Sequence, residues 1–315
     1  MEQPICSVVM PTRDCLEYLK RSIPTIYEQD VEGIEIIVVD DGSTDGSDKF
    51  LAQCAQKDKN FIVLQSDSIG PGRARNLAIE QAKARYIAFL DADDLWPKGK
   101  LARQLHFHKC YPDAGLSFSD YSFFTPDESI PVTCFEYWGL DYLSRRQKGY
   151  EIMPQAESLL LCHNIVGTSA VVAKREYLQN ANGFATNLQS ATDWDMWLKL
   201  AKMAPVGVSP EVGMHYLMRP GSITKNRQDR IDAMVEIVDR YRTRDELEIK
   251  KAVRMADANI AVARAEFDHE CGRNWYAIRH YLDAIIKKPS KRSLWAAGHS
   301  VADGVKNSLG LNKAA

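Results

Sequence analysis

The chain has almost no net charge, no cysteine pairing pattern and no long apolar run, and each absence removes a class of function. Its 315 residues carry 40 Lys and Arg against 42 Asp and Glu, a formal net charge of -2. No global basic field gathers a polyanion, so no nucleic-acid partner is expected. The seven cysteines (Cys6, Cys15, Cys54, Cys110, Cys134, Cys162 and Cys271) are odd in number and contain no C-x-x-C pair. Most fall within apolar or helical patterns, which predicts buried reduced thiols rather than a disulfide framework. No run approaches the roughly 20 apolar residues of a membrane span. Met1-Glu2-Gln3-Pro4 lacks the basic and apolar regions of a secretory leader, so a cytoplasmic location is expected. Walker A loops and zinc-ligand spacings are missing as well.

What the chain does have is an apolar run that ends in acid. Tyr86-Ile87-Ala88-Phe89-Leu90 leads directly into Asp91-Ala92-Asp93-Asp94. The run has the composition of a strand buried on both faces. An open α/β sheet places its ligands at the carboxyl ends of such strands. Three carboxylates within four residues repel one another, and a hard divalent ion would relieve that repulsion. Mg²⁺ or Mn²⁺ accepts oxygens of this kind, usually few from the protein and the rest from phosphate. Taken by itself, the segment reads equally well as a solvated turn in which Asp93 or Asp94 caps a helix.

The surrounding pattern decides between them. Residues 5–10 read as a first strand stopped by Pro11-Thr12, and 16–28 as a helix with Leu16, Leu19, Ile23 and Ile26 on one side. A second strand over 34–39 runs into Asp40-Asp41-Gly42-Ser43, where either acid could cap the next helix. A third strand spans 61–64, Gly70-Pro71-Gly72 forms a loop, and 74–84 a helix. Four alternations of strand and helix predict an α/β fold with a parallel sheet and right-handed crossovers. The acids at Val39-Asp40 and Leu90-Asp91 then share one sheet edge, which describes a nucleotide-and-metal cleft. Gly70-Pro71-Gly72 imitates a dinucleotide fingerprint, but Arg75 stands where Gly or Ala is needed for close helix–strand packing.

Further on, 101–111 reads as a helix and 115–119 as a strand. Residues 125–150 look irregular and aromatic, as either a lid or acceptor-binding loop or a variable insertion. A strand is expected over 170–174 and a helix over 191–201, with Trp194 and Trp197 at core spacing.

In this order the motifs resemble the family 2 glycosyltransferases, inverting enzymes of GT-A fold. The matching pieces are Pro11-Thr12-Arg13-Asp14, Val38-Val39-Asp40-Asp41-Gly42-Ser43 and Gly72-Arg73-Ala74-Arg75-Asn76. They continue with Leu90-Asp91-Ala92-Asp93-Asp94, Val166-Gly167-Thr168-Ser169, Thr192-Asp193-Trp194-Asp195-Met196-Trp197 and Arg219-Pro220-Gly221-Ser222. The resemblance covers roughly residues 4 to 225, and its strength lies in sequential order. It implies a Rossmann-like, mostly parallel sheet with helices on both faces, over residues 1–228, followed by a helical region over 229–315.

By the same resemblance, Pro11, Thr12, Asp40, Asp41 and Arg75 would hold a nucleoside diphosphate sugar, with a UDP-sugar the leading choice. Asp93 would be the direct ligand of Mg²⁺ or Mn²⁺, with Asp91 reaching the metal, ribose or sugar. Asp94 is left a supporting or capping role and Asp195 a solvated or capping one. Asp193 matches the catalytic base that takes the proton of an acceptor hydroxyl on a glycan or lipid-linked acceptor. Arg219 would contact the diphosphate, although an ordinary exposed loop arginine explains it as well. Thr192 departs from the Glu that the family usually has there, and Leu217 from the usual Arg. Thr192, together with the helical tail, keeps open a catalytically silent scaffold that binds sugar nucleotides. A sugar-nucleotide nucleotidyltransferase is disfavoured, because Pro11-Thr12-Arg13 replaces the Gly-rich loop that such enzymes use.

From about residue 230 the pattern is helical and charged. Residues 272–289 look like half of a tetratricopeptide hairpin, too little for an array. Leu294, Trp295, Val301, Val305 and Leu309 follow Lys287, Lys288, Lys291 and Arg292. That combination is compatible with peripheral docking at the inner face of a membrane. It is equally compatible with a terminal helix packed on its own bundle or on a second copy of the chain, a homo-oligomer through the tail.

Overall fold

Four parallel strands lay out the first half of the chain: β1 (Cys6–Thr12), β2 (Ile34–Asp40), β3 (Phe61–Gln65) and β4 (Tyr86–Phe89), in the spatial order β3-β2-β1-β4. The computed structural model describes residues 3–125, 129–140, 143, 149–218, 226–289 and 294–301. Helices α1 (Leu16–Tyr27), α2 (Ser47–Lys57) and α3 (Pro71–Gln81) supply the crossovers. Val8, Met10, Ile36 and Val38 pack in one cluster with Leu19, Ile23 and Leu51. Their alternates Val9, Ile37 and Val39 are buried too. Burial on both faces removes the polar half of the strand pattern, which is why these strands read as unbroken apolar runs.

Two boundaries differ from the sequence reading. Pro11 lies inside β1 rather than ending it, paired in register with Val39. Thr12 O accepts from the Asp41 N–H on the β2 side, and Val9 O accepts from the Leu90 N–H on the β4 side. The alternation turns Pro11's missing N–H toward β4, where the ladder with β1 ends at Phe89, so no hydrogen bond to β2 is lost. Helix α3 starts at Pro71 instead of residue 74, with Gly70 at φ 84° before it. Proline at the first helical position forgoes only an N–H that has no intrahelical partner.

The sheet then changes direction. After α4 (Lys100–Cys110) come β5 (Leu116–Phe124), β6 (Ser129–Thr133), β7 (Glu151–Ile152), β8 (Val172–Lys174) and β9 (Val206–Leu217). The order continues β4-β8-β5-β9-β7, with β8 antiparallel to both β4 and β5 and β9 parallel to β5. The stretch expected to be irregular holds a strand and a helical turn. β6 pairs antiparallel with β5, off the main path of the sheet, a position that tolerates Pro131. The turn Cys134–Tyr137 follows, closed by a reciprocal cap between Thr133 and Glu136.

The Thr192–Met203 helix buries Trp194, Met196, Trp197, Leu198 and Leu200. Trp197 meets Phe89 and Phe184 edge-on at 5.4 and 5.8 Å. Both tryptophans are therefore core residues. Asp195, expected to be solvated or to cap a helix, is only 3% exposed and pairs with Lys199 at 2.7 Å, one helical turn on.

The chain divides into two compact units. One comprises Met1–Ala156, Asn164–Asn187 and Thr192–Pro220; the other comprises Glu157–His163, Leu188–Ala191 and Gly221–Ala315. The second contains the helices Arg227–Asp239, Leu247–Glu270 and Asn274–Lys287. Its buried apolar residues include Ile231, Ile237, Val238, Ile249 and Ile260 as well as the cluster of Ala265, Ala277, Tyr281 and Ala297. Its ion pairs include Arg242 with Asp257 at 2.7 Å and Arg244 with Glu157 at 2.6 Å. Among the described residues no helix is long and apolar enough to cross a membrane. All seven cysteines are free thiols. Cys110 and Cys271 are exposed rather than buried as expected, because each sits at a helix C-terminus beyond the inward stripe.

Candidate active site

The carboxyl edge of the parallel strands gathers the predicted residues. Thr12 and Asp40 are register partners at the ends of β1 and β2, with Asp41 next in the chain, and all three are buried. The expectation that Asp40 or Asp41 caps α2 is not met. Asp40 accepts from the Ser43 N–H at 3.1 Å, while Asp45 takes the Ser47 N–H at the start of that helix. Asp41 binds a different loop. One oxygen accepts from Ser66 Oγ at 2.7 Å and from the Ile69 N–H at 2.8 Å, and the other from the Gly70 N–H at 2.8 Å. Burial pushes its carboxyl up, but these hydrogen bonds and the charge of Arg13 outweigh that, leaving its pKa below the ordinary value. Asp41 thereby fixes the entry to α3, the helix that carries Arg75.

Arg75 is 6% exposed. Its Nη2 lies 2.5 Å from Asp91 Oδ1, and its guanidinium rests 5.5 Å from the centre of the Phe184 ring. Two buried polar atoms at this edge, Thr12 Oγ1 and Arg75 Nε, have no hydrogen-bond partner among the described residues. Other buried polar atoms, Ser22 Oγ and Gln104 Oε1 among them, are unpaired as well, so these two are compatible with a polar ligand without pointing to one.

The acidic turn has a built interior. The Asp94 N–H closes the turn onto Asp91 O at 3.1 Å. Asp94 itself is 3% exposed; its carboxylate accepts from Ser169 Oγ at 2.5 Å and from the Leu217 N–H at 3.4 Å. Burial first, then the charges of Asp93 and Asp91, raise its pKa well above the ordinary value. Asp94 is a strut, tying the turn to β9 and to the Thr168–Ala170 turn. Asp93 and Asp91, both half-buried, are the carboxylates of this turn that could hold a cation. Among the described residues no group of three or more His, Cys, Asp or Glu side chains is arranged to hold a metal. One or two carboxylates would suit an ion that takes its remaining oxygens from phosphate.

Asp193 stands in the first turn of its helix. Its Oδ2 accepts from Thr168 Oγ1 at 3.1 Å and its Oδ1 from the Trp194 N–H at 2.8 Å. Close approach near Gly72, where a Cβ would lie 3.5 Å from Thr192 Oγ1, seats the start of this helix against the start of α3. Residues 167–169 bracket the whole site. Thr168 holds Asp193, while Ser169 Oγ donates to Asp94 and accepts from the Asp91 N–H at 2.9 Å. Trp96 Nε1 secures the bracket by donating to Ser169 O at 2.7 Å. On its far side, Tyr121 would come within 3.1 Å of a Cβ at Gly167 and begins a group of half-buried aromatics with Phe123 and Tyr216.

The structure thus brings Thr12, Asp40, Asp41, Arg75, Asp91, Asp93 and Asp193 onto one unit, with Pro11 beside them at the end of β1. Arg219 lies outside the described residues. Sequence reasoning assigned no role to Thr168, Ser169 or Trp96. The only signal for the first two was their place in an ordered motif.

Comparison with known proteins shows the family and the fold. The family model described as Glycosyl transferase family 2 matches residues 7–175, and the chain belongs to that family. TuaG of Bacillus subtilis (strain 168), a glycosyltransferase named for teichuronic acid biosynthesis, is 31% identical over 201 residues, spanning 64% of this chain and 73% of TuaG. Several other curated relatives are matched over less than half of their own length. Staphylococcus aureus TarS (1–349), solved with UDP-GlcNAc, superposes with a TM-score of 0.64 at 20% identity, covering 96% of this chain and 89% of that one. The mannosyltransferase PcManGT from Pyrobaculum calidifontis, solved with GDP-Man and Mn²⁺, gives 0.64 at 20% identity, covering 98% and 88%. The fold is GT-A.

Proposed function

We propose that this family 2 glycosyltransferase moves a sugar from a nucleoside diphosphate sugar to an acceptor hydroxyl, with inversion at the anomeric carbon. The observation that carries the reading is the bracket at Thr168 and Ser169, which holds the base candidate and the acidic turn on one rigid segment. Inversion by single displacement requires a base on one side of the sugar and a stabilised leaving group on the other.

In this reading Thr12, Asp40, Asp41 and Arg75 hold the base and ribose, beside Pro11. Asp93 and Asp91 would hold Mg²⁺ or Mn²⁺, whose positive charge would offset that of the departing diphosphate. Arg75 holds Asp91 in place, and Asp94, turned inward, fixes the turn. Arg219 is assigned to the diphosphate by resemblance. Asp193 takes the acceptor proton on a carboxylate oxygen. A carboxylate offers about four lone-pair sites, and Thr168 and the Trp194 N–H use two of them, so orientation is fixed while capacity to accept remains. A mild base suffices because the hydroxyl loses its proton only as the new bond forms.

UDP is favoured by the TarS likeness, with GDP the alternative from PcManGT. A glycan or lipid-linked acceptor in surface polysaccharide synthesis is carried over from the family resemblance, and TuaG's name, for teichuronic acid biosynthesis, agrees with it. Residues 1–228 would form the catalytic domain and 229–315 a helical region.

Turnover of UDP-sugars with Mn²⁺, compared between the wild type and Asp193→Asn, tests the reading. The variant should lose about 10²–10⁴-fold in rate while binding UDP as before. Equal turnover by both proteins would move the base elsewhere. Thr192, standing where the family has Glu, favours a second reading as a silent binding scaffold; nucleotide binding without turnover by either protein would select it.

A further inference from the structure

The helical unit carries a surface that sugar transfer does not use. On the Asn274–Lys287 helix, Asn274, Ala277, Tyr281 and Ala284 form the buried stripe. Trp275, Leu282 and Ile286 recur on another face at spacings of seven and four, and are 60%, 52% and 74% exposed. Leu294 and Trp295, shortly after, are 57% and 67% exposed. Isolated exposed apolar residues need no explanation, but large ones in register along one helix do.

Charge is concentrated in the same place. Between residues 274 and 301 the sequence has five cations, Arg279, Lys287, Lys288, Lys291 and Arg292, against one acid, Asp283, in a chain whose formal net charge is -2. Arg279 borders the arc of Trp275, Leu282 and Ile286 and is exposed.

We propose that this face docks on the surface of an anionic phospholipid bilayer. The apolar side chains enter the boundary between headgroups and acyl chains, and Arg279 meets lipid phosphates. Tryptophan suits that boundary because its ring is apolar and its N–H needs a wet partner. A second copy of the chain is a poorer occupant, since a two-fold contact sets this cationic segment against itself. A nucleic acid would leave Leu282 and Ile286 without an apolar counterpart. With no helix able to span among the described residues, the attachment is peripheral. One amphipathic segment with a few cations gives binding that is reversible and sensitive to salt.

The test is co-sedimentation of the full chain with phosphatidylcholine vesicles, with and without phosphatidylglycerol. Anionic vesicles should bind on the order of tenfold more protein or better, and high salt should abolish the difference. Trp275→Ser with Ile286→Ser should lose vesicle binding while keeping the far-UV spectrum and UDP affinity. Because that double variant could fold poorly, Arg279→Glu provides a second arm at an exposed position and should weaken binding to anionic vesicles alone. Equal sedimentation with neutral and anionic vesicles would overturn the proposal. So would a wild-type dimer in lipid-free solution that Arg279→Glu or the double variant converts to monomer.

Discussion

Ser169 Oγ lies 2.5 Å from Asp94 Oδ2 and also accepts the Asp91 backbone N–H at 2.9 Å, so one hydroxyl spans both ends of the acidic turn. The carboxylate it serves is buried and repelled by two neighbours of its own sign. A donor at that point decides whether the turn keeps its shape.

Removing the donor is therefore costly. Ser169→Ala should destabilise the protein by about 1–3 kcal/mol, the penalty of an unsatisfied buried acceptor. Denaturant unfolding measures it, and an unchanged midpoint would show that Asp94 finds another partner. Nucleotide affinity in the presence of Mn²⁺ should fall more than affinity without it, because the damage is to the turn proposed to hold the metal.

Thr168 acts on Asp193 alone. Thr168→Val keeps the shape of the side chain and removes the 3.1 Å hydrogen bond. The rate of sugar transfer should drop about tenfold, less than for Asp193→Asn, with the donor KM unchanged. A rise in donor KM with no change in kcat would place Thr168 in donor binding.

Stability should depend on pH through His108. The ring is buried, with Nε2 3.0 Å from Ser117 Oγ and 3.3 Å from Val172 O. Burial is the leading cause that lowers its pKa from 6.5 to about 4. Between those values the unfolded chain binds a proton that the folded one refuses, so stability falls as pH falls through this window, by up to about 3 kcal/mol. Above pH 6.5 the contribution is complete. His108→Gln does not titrate, so relative to the wild type it should gain stability as the pH is lowered. Parallel unfolding curves for the two proteins would contradict the assignment. His163 is shifted to about 4 by burial as well, and it adds to the same trend in both proteins.

The fold was largely legible because β1 to β4 are buried on both faces and announce themselves as apolar runs. Pro11 misled, since proline ends a strand only when the lost N–H faces a partner, and a single sequence does not say which side that is. The capped turn at Cys134–Tyr137 was hidden by aromatics and by Pro131. The acids were legible as a cluster, but their division of labour was not. Asp41 holds a loop 25 to 29 residues away, and Ser169 reaches Asp94 across 75 residues. Contacts of that range leave no local trace, so the sequence did not say that Asp41, read as a nucleotide contact or a helix cap, ties down the entry to α3, or which of its two expected roles, supporting or capping, Asp94 takes.

The central claim is that Asp93 and Asp91 bind a nucleotide's diphosphate through a divalent cation. Calorimetric titration of UDP into the wild type and Asp93→Asn, each with and without Mn²⁺, tests it most directly. Mn²⁺ should strengthen UDP binding by the wild type about tenfold or more and leave the variant nearly unchanged. Equal strengthening in both proteins would contradict it.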